Sequence, residues 1–343
     1  MSARPAIFRA RGRARRLPPV SVFRWDLDKT YLRSEFERVR DLVRIPFEKA
    51  ADKVEIPGVP ELLRAIRETA RRRERTALVF FISASPPQIG KAIREKFALD
   101  GVEIDGIVFK DQLQILMRGK LRGLREQVGF KLTELLRGRL DMPADAAEYL
   151  FGDDWESDPL IYTLYAGLLD KKLDGEGLGR ILDEIPVDRA WRAEIDSLLA
   201  KVPLADGVRR IFIHLERETP PARLRPFGWK VVPVFNPFQT AVCLCEEGEV
   251  DVQGIAVVAE RLLSAAGYTR EMLENSLDDI ARRGHLGERA RLRIGRALRR
   301  RGILPERRVP LRTWLRAMLR RSTGAAAATP DYTSILGSWR ELR

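Results

Sequence analysis

Two carboxylates set two residues apart, Asp26 and Asp28, follow an apolar run from Val20 to Trp25 as Asp-Leu-Asp-Lys-Thr. Where a strand ends, residues two apart still point to roughly one side, so both carboxylates can converge on one phosphate and one cation. One can attack phosphorus while the other delivers a proton to the departing oxygen. Phosphate esters need both functions, together with a cation to neutralise charge on the equatorial oxygens. A turn or helix-capping pair of aspartates is the plainer alternative. A second acidic cluster, Gly152-Asp153-Asp154-Trp155-Glu156-Ser157-Asp158, again comes directly after a strand pattern. Oxygen ligands of this kind suit a hard cation such as Mg²⁺, with one carboxylate direct and one further out. The alternative here is an acidic turn that caps the next helix through Ser157 or Asp158.

Two further positions extend the set. Ser83 ends the apolar strand Leu78 to Ile82, where its hydroxyl can bond a phosphoryl oxygen, with Ser85 as a competitor. Lys131 precedes the fourth strand by most of a helix. A lysine near a helix start sits against the dipole and so points to a nearby anion. A loop serine and a solvated lysine are the ordinary readings of these residues.

The elements that would position these groups alternate. Strands are expected over Val20–Trp25, Thr76–Ile82, Ile104–Phe109, Glu148–Phe151, Val208–Leu215 and Trp229–Phe235. Helices are expected over 33–52, 59–73, 87–97, 130–138 and 158–169, with a charged helical insertion over 170–203. Such alternation implies a parallel, doubly wound α/β sheet, whose ligands bind at the carboxyl ends of the strands. The polar clusters fall at those ends. Asn236-Pro237-Phe238-Gln239 has the form of a helix start. Beyond Asp251 the pattern is helical throughout, which places a domain boundary near 250. The organisation read from this is a basic arm over 1–19, a catalytic body over 20–250, a basic helical region over 251–321, and a linker and tail over 322–343.

The chain of 343 residues is 45% hydrophobic and 32% charged, which fits a folded domain rather than a disordered one. Its longest apolar stretch, around Leu78 to Ile82, is too short to span a bilayer. No segment has the make-up of an export signal, and Cys243 and Cys245 form no disulfide framework, so a cytoplasmic location is expected. The net charge of +13 is unevenly placed. Six arginines lie in 1–19 and fifteen in 282–321, which leaves 39 basic and 45 acidic residues in 20–281. The body is therefore mildly acidic. Leu311, Leu315, Met318 and Leu319 share one face of a helix whose other face carries Arg312, Arg316 and Arg320. A helix of this kind can lie on an anionic membrane or contact nucleic acid. It can equally be a subdomain packed on the body with its arginines solvated. His214 and His285 fall in no nucleophile or metal pattern.

Taken in order, Asp26, Asp28 and Thr30, then Ser83, then Lys131, then Asp153 with Asp158 resemble the motifs of the haloacid dehalogenase superfamily. The resemblance covers about residues 20–240. Within it, Ser83-Ala84-Ser85-Pro86 and Gly152-Asp153 through Asp158-Pro159-x-x-Tyr162 are similar to the phosphatidate phosphatases of the actin-patch-associated type and their bacterial relatives. Lys29 stands where that family commonly has an acidic residue, and Ala84 where it has Asn. The resemblance implies a Rossmann-like three-layer parallel sheet and a Mg²⁺-dependent phosphatase. It implies that Asp26 forms an aspartyl-phosphate and that Asp28 protonates the leaving group and then activates water. Ser83 and Lys131 would hold the phosphoryl oxygens, with Thr30, Ala84 and Ser85 beside them. Asp26, the Asp28 carbonyl, Asp153 and Asp158 would make up the Mg²⁺ site. The rival expectations are a nucleic-acid end phosphatase that grips the backbone with its arginines, and a non-catalytic binding protein on the same fold.

Overall fold

The computed structural model describes residues 18–32, 54–85, 87–110, 120–185, 187–306 and 329–342. The expected basic arm, the helix over 33–52, and the amphipathic stretch bearing Leu311, Leu315, Met318, Leu319, Arg312, Arg316 and Arg320 lie outside the described residues.

Six strands form one sheet, all parallel: β1 (Val20–Asp26), β2 (Thr76–Ser83), β3 (Gly106–Phe109), β4 (Ala147–Asp153), β5 (Val208–His214) and β6 (Val231–Val234). Their spatial order is β3-β2-β1-β4-β5-β6. β1 is central and buried along its whole length, which is why it reads as an almost unbroken apolar run rather than an alternating one. The architecture is α/β and Rossmann-like. The first two connections step to one side of β1 and the third crosses back to β4, so the direction reverses between β1 and β4.

Right-handed crossovers place helices on opposite faces when that direction reverses. On the first face lie α1 (Val59–Arg72) and α2 (Gly90–Leu99), packed against Phe23, Trp25, Phe81, Phe151 and Phe212. On the second lie α3 (Lys120–Leu140), α4 (Asp158–Leu169), α5 (Gly175–Glu184) and α6 (Arg189–Leu199), with Leu150, Ile211 and Ile213 beneath them. Asp174 and Asp188 start α5 and α6 by accepting the amides of Gly177 and Ala190. These two helices are the expected insertion. Asn236 likewise caps α7 (Pro237–Glu247) by accepting the Gln239 amide at 3.1 Å, with Pro237 at the first position.

The core runs on across residue 250. Ile255, Val258 and Ala259 of α8 (Val252–Ala265), Leu273 and Leu277 of α9 (Arg270–Arg282), and Ile294 and Leu298 of α10 (Glu288–Arg300) belong to the same cluster as Phe23 and Trp25. Several arginines of this region are drawn inward to acids of neighbouring turns. Arg283 pairs with Asp279, Arg291 with Asp278 and Glu288, and Arg299 with Glu274. In the part of the basic segment that is described, Leu292 and Leu298 are buried. The tail also returns. α11 (Ile335–Leu342) buries Ile335, Leu336, Trp339 and Leu342 in the second-face cluster. Both cysteines are buried and free, and burial pushes the Cys243 thiol up to about 12. Among the described residues no helix is long and apolar enough to cross a membrane.

Shared packing makes the basic helices part of the fold. Leu298→Ala, at a fully buried position, is expected to lower unfolding free energy by about 2–5 kcal/mol in a urea titration. A chain ending at residue 281 should lose its single cooperative thermal transition. A truncated protein that keeps the full-length midpoint would show these helices to be independent of the sheet.

Candidate functional site

The site is assembled at the carboxyl edge of the sheet. Asp26 is the last residue of β1, Ser83 of β2, Asp153 of β4 and His214 of β5. β1 and β4 flank the reversal of winding, where adjacent loops part and leave a crevice. Four polar residues thus reach one edge because four apolar strands end there in register.

Lys131 differs from its sequence reading. The helix that carries it starts at Lys120, not near 130, so Lys131 sits in the helix interior and the dipole argument does not apply. Counter-charge holds it instead. Its fully buried ammonium contacts Asp26 Oδ1 at 2.7 Å, Glu156 Oε2 at 2.8 Å and Asp158 Oδ1 at 2.6 Å. An ammonium has three protons to donate, and each finds a carboxylate. Burial by itself would lower the lysine's pKa, but Asp158, Asp26 and Glu156 carry it well above its ordinary value.

One lysine does not neutralise the site. Asp26, Asp153 and Asp158 each present an oxygen, all within 4.8 Å of one another, and all three residues are buried. With Glu156, four carboxylates meet one ammonium. Burial, opposed by Lys131 and reinforced by Asp158, Glu156 and Asp153, raises the Asp26 pKa well above the carboxylate range. Burial together with Glu156 and Asp158 does the same to Asp153. Asp158 is pushed up to about 6, chiefly by burial. Asp153 Oδ1 accepts the amides of Trp155 at 2.6 Å and Glu156 at 3.0 Å, which leaves its Oδ2 buried and without a partner. Asp26 Oδ2 is buried and unpartnered too. Orphaned carboxylate oxygens are costly in a dry interior. All-oxygen donors, excess negative charge and two unsatisfied oxygens fit a divalent hard cation such as Mg²⁺.

The second aspartate of the pair goes elsewhere. Asp28 Oδ2 accepts from Ser85 Oγ at 2.8 Å and Ser83 Oγ at 3.4 Å, and the Ser85 amide donates to Ser83 Oγ at 3.0 Å. Asp26 is therefore bound into the charged cluster, while Asp28 faces the turn Ser83-Ala84-Ser85. Thr30 is buried, with its hydroxyl unpartnered, at a small cavity it shares with His214 and Asn236.

The acidic turn after β4 is not a simple helix cap. Ser157 stands at the cap position of α4 but makes no capping bond. Asp158 instead folds back, its Oδ2 3.4 Å from the Asp153 amide. Gly152 makes room for this, since a Cβ there would lie 2.3 Å from Asp158 Oδ2. Tyr162, one turn on, donates to the Phe151 carbonyl at 3.2 Å and ties the helix to the strand. Glu156, Asp154, Trp155, Lys29 and His214 also belong to the site's surroundings, and only the acidic cluster itself drew notice to the first three. His214 had a sequence signal, as the last residue of an apolar strand. Lys29 had one as well, since it stands where the resembled family commonly has an acidic residue.

A bound dication and protons compete for the same oxygens. Raised folded-state carboxyl pKa values mean that the metal-free protein loses stability as pH climbs from the unfolded value near 4 through about 6. Mg²⁺ added to chelator-treated protein should therefore raise the melting temperature more at pH 7.5 than at pH 5.5. Asp153→Asn should shrink that increment. An increment independent of pH and of Asp153 would place the ion elsewhere.

No family model, no curated protein and no solved structure matches this chain.

Proposed function

We propose that this protein is a Mg²⁺-dependent phosphatase of the haloacid dehalogenase type that hydrolyses a phosphate monoester through Asp26. One observation carries the reading. Asp26 has one oxygen fixed on Lys131 and the other buried and unpartnered, and its carboxylate lies within 4.8 Å of those of Asp153 and Asp158. A carboxylate so held is oriented as a nucleophile rather than as a cap or an ion-pair partner alone.

The ordered motifs Asp26-x-Asp28, Ser83, Lys131 and Asp153 with Asp158 support the same assignment, as does their convergence on one edge. An Asp26 oxygen forms a bond to phosphorus while the ester P–O bond breaks, and the electron pair leaves on the alcohol oxygen. Asp28, protonated, gives that oxygen its proton. Water then attacks phosphorus of the aspartyl-phosphate and passes a proton to Asp28, which frees phosphate and restores Asp26. Ser83 and Ser85 place hydroxyls beside Asp28, where they can orient a phosphoryl oxygen. Lys131 has its three protons committed. Glu156, whose side chain is 26% exposed against 2% or less for Asp26 and Asp158, is the partner a phosphoryl oxygen would displace. Mg²⁺ held by Asp26, Asp153 and Asp158 would supply positive charge to the equatorial oxygens. The motif pattern Ser83-Ala84-Ser85-Pro86 and Gly152-Asp153 through Tyr162 adds lipid phosphates to the substrates to be screened.

The purified protein should hydrolyse p-nitrophenyl phosphate in Mg²⁺ and lose the activity in chelator. Asp26→Asn removes the nucleophile and is expected to lower kcat by about 10³-fold or more while the circular dichroism spectrum is kept. Turnover by that variant at the wild-type rate would refute the mechanism.

A further inference from the structure

The rim of the site carries an arrangement that the hydrolytic step does not use. Trp155, 36% exposed, stands at the carboxyl edge just past the acidic pair. The Lys29 ammonium lies 3.5 Å from its ring centroid and the Arg217 guanidinium 4.8 Å. Two loops, one after β1 and one after β5, thus bring a cation to the same ring.

Both loops are fixed. Lys29 has φ of 59°, in the left-handed region that a lysine seldom occupies. Its amide donates to the Leu32 carbonyl at 2.8 Å, and its own carbonyl faces His214 Nδ1 at 3.3 Å. The other loop is anchored by Asp154, which is buried and precedes Trp155 in the chain. Its two oxygens accept the amides of Arg217 at 2.9 Å and Thr219 at 3.2 Å. An aspartate of the acidic motif is thereby spent on orienting the rim. Unfavourable backbone at a functional edge persists where the surroundings hold it, and here it aims a side chain.

Lys96, Lys131, Lys172 and Lys230 all end on carboxylates. Among the described residues, the Lys29 ammonium meets an aromatic face and no carboxylate. Chain connectivity ties this cation to the machinery, since Lys29 follows Asp28, and the Trp155 amide binds Asp153 Oδ1. The carboxylates of the site outnumber the Lys131 ammonium and would repel a substrate bearing more than its one phosphate. A cation on an indole face at the mouth offsets that repulsion and gives an anion a flat surface to rest against.

We infer that Lys29 and Arg217, set against Trp155, form a second anion subsite, and that the substrate is a phosphate monoester whose alcohol part carries a further carboxylate or phosphate. The inference rests on the phosphatase reading and narrows it away from esters whose alcohol part is only apolar.

Matched substrates test it, with p-nitrophenyl phosphate as control for the reaction itself. 3-Phosphoglycerate against glycerol 3-phosphate probes a carboxylate, and fructose 1,6-bisphosphate against fructose 6-phosphate probes a phosphate. The wild-type protein should favour the anionic member of at least one pair by about tenfold in kcat/KM, the scale of one charge-assisted contact. That ratio should fall with added salt. In Lys29→Met the ratio should drop by about the same factor, and Lys29→Arg should restore most of it. Arg217→Ala, at an exposed position, serves as the second variant if Lys29→Met proves unstable, and should also lower the ratio. Hydrolysis of p-nitrophenyl phosphate with ratios near one, or ratios that neither variant changes, overturns the subsite and leaves the phosphatase intact. No turnover of any ester, the control included, overturns the phosphatase reading and the subsite with it.

Discussion

The ammonium of Lys131 is the pivot of this structure. A lysine with no solvent contact is tolerable only when every proton it carries meets an acceptor of opposite charge. Asp26, Glu156 and Asp158 meet that demand from two different strand ends. The demand sets where α3 crosses the sheet, and it keeps the turn after β4 folded back through Asp158 over Gly152. It also holds the carboxylates closer together than their mutual repulsion would allow. Removing one partner leaves an ammonium proton without its acceptor, while two carboxylates still hold the lysine in place. The cluster's remaining negative excess is what a bound cation would neutralise, and a phosphate ester would need that neutralisation to enter.

What keeps the cluster dry is the layer beneath it. Phe81, Trp25, Phe151 and Phe212 run across four adjacent strands on the first face, with ring centroids 6.4, 3.8 and 5.2 Å apart in that order. Parallel register places these rings side by side, since Trp25 is opposite both Phe81 and Phe151, and Phe151 is opposite Phe212. Each lies one or two residues before a polar terminal residue: Ser83, Asp26, Asp153 or His214. On the opposite face Arg24 and Arg139 share Glu148, at 2.7 and 2.9 Å. Both oxygens of Glu148 are thus satisfied within the protein, whereas Asp26 Oδ2 and Asp153 Oδ2 at the edge are not.

Much of this was legible in the residues. Central parallel strands read as apolar runs because both faces are covered, and the first polar residue after such a run marks the carboxyl edge. Asp26, Ser83 and Asp153 were found in that way. Lys131 was assigned to the right neighbourhood for the wrong reason. Gly123 and Gly129 interrupt the helical signal ahead of it, so α3 seemed to begin about ten residues late. α11 falls in the stretch expected as linker and tail, although Ile335, Leu336, Trp339 and Leu342 are all buried. The boundary expected near 250 reflected a real change from alternating to helical sequence, but the helices beyond it complete the first face instead of leaving it. The rim could not be read as a unit. Lys29, Trp155 and Arg217 belong to loops after three different strands, and only β1, β4 and β5 lying side by side bring them together.

The placement of α11 has a bearing on how the chain acquires its shape during synthesis. Trp339 and Leu342 join a layer whose other members, from α4 and the 3-10 turn Pro221–Phe227, leave the ribosome much earlier. Until translation passes residue 342, that layer has an open apolar seam beside the strand ends that carry the catalytic candidates. A nascent chain halted in 306–334 would display the whole sheet with one flank uncovered, the form most prone to be held by chaperones.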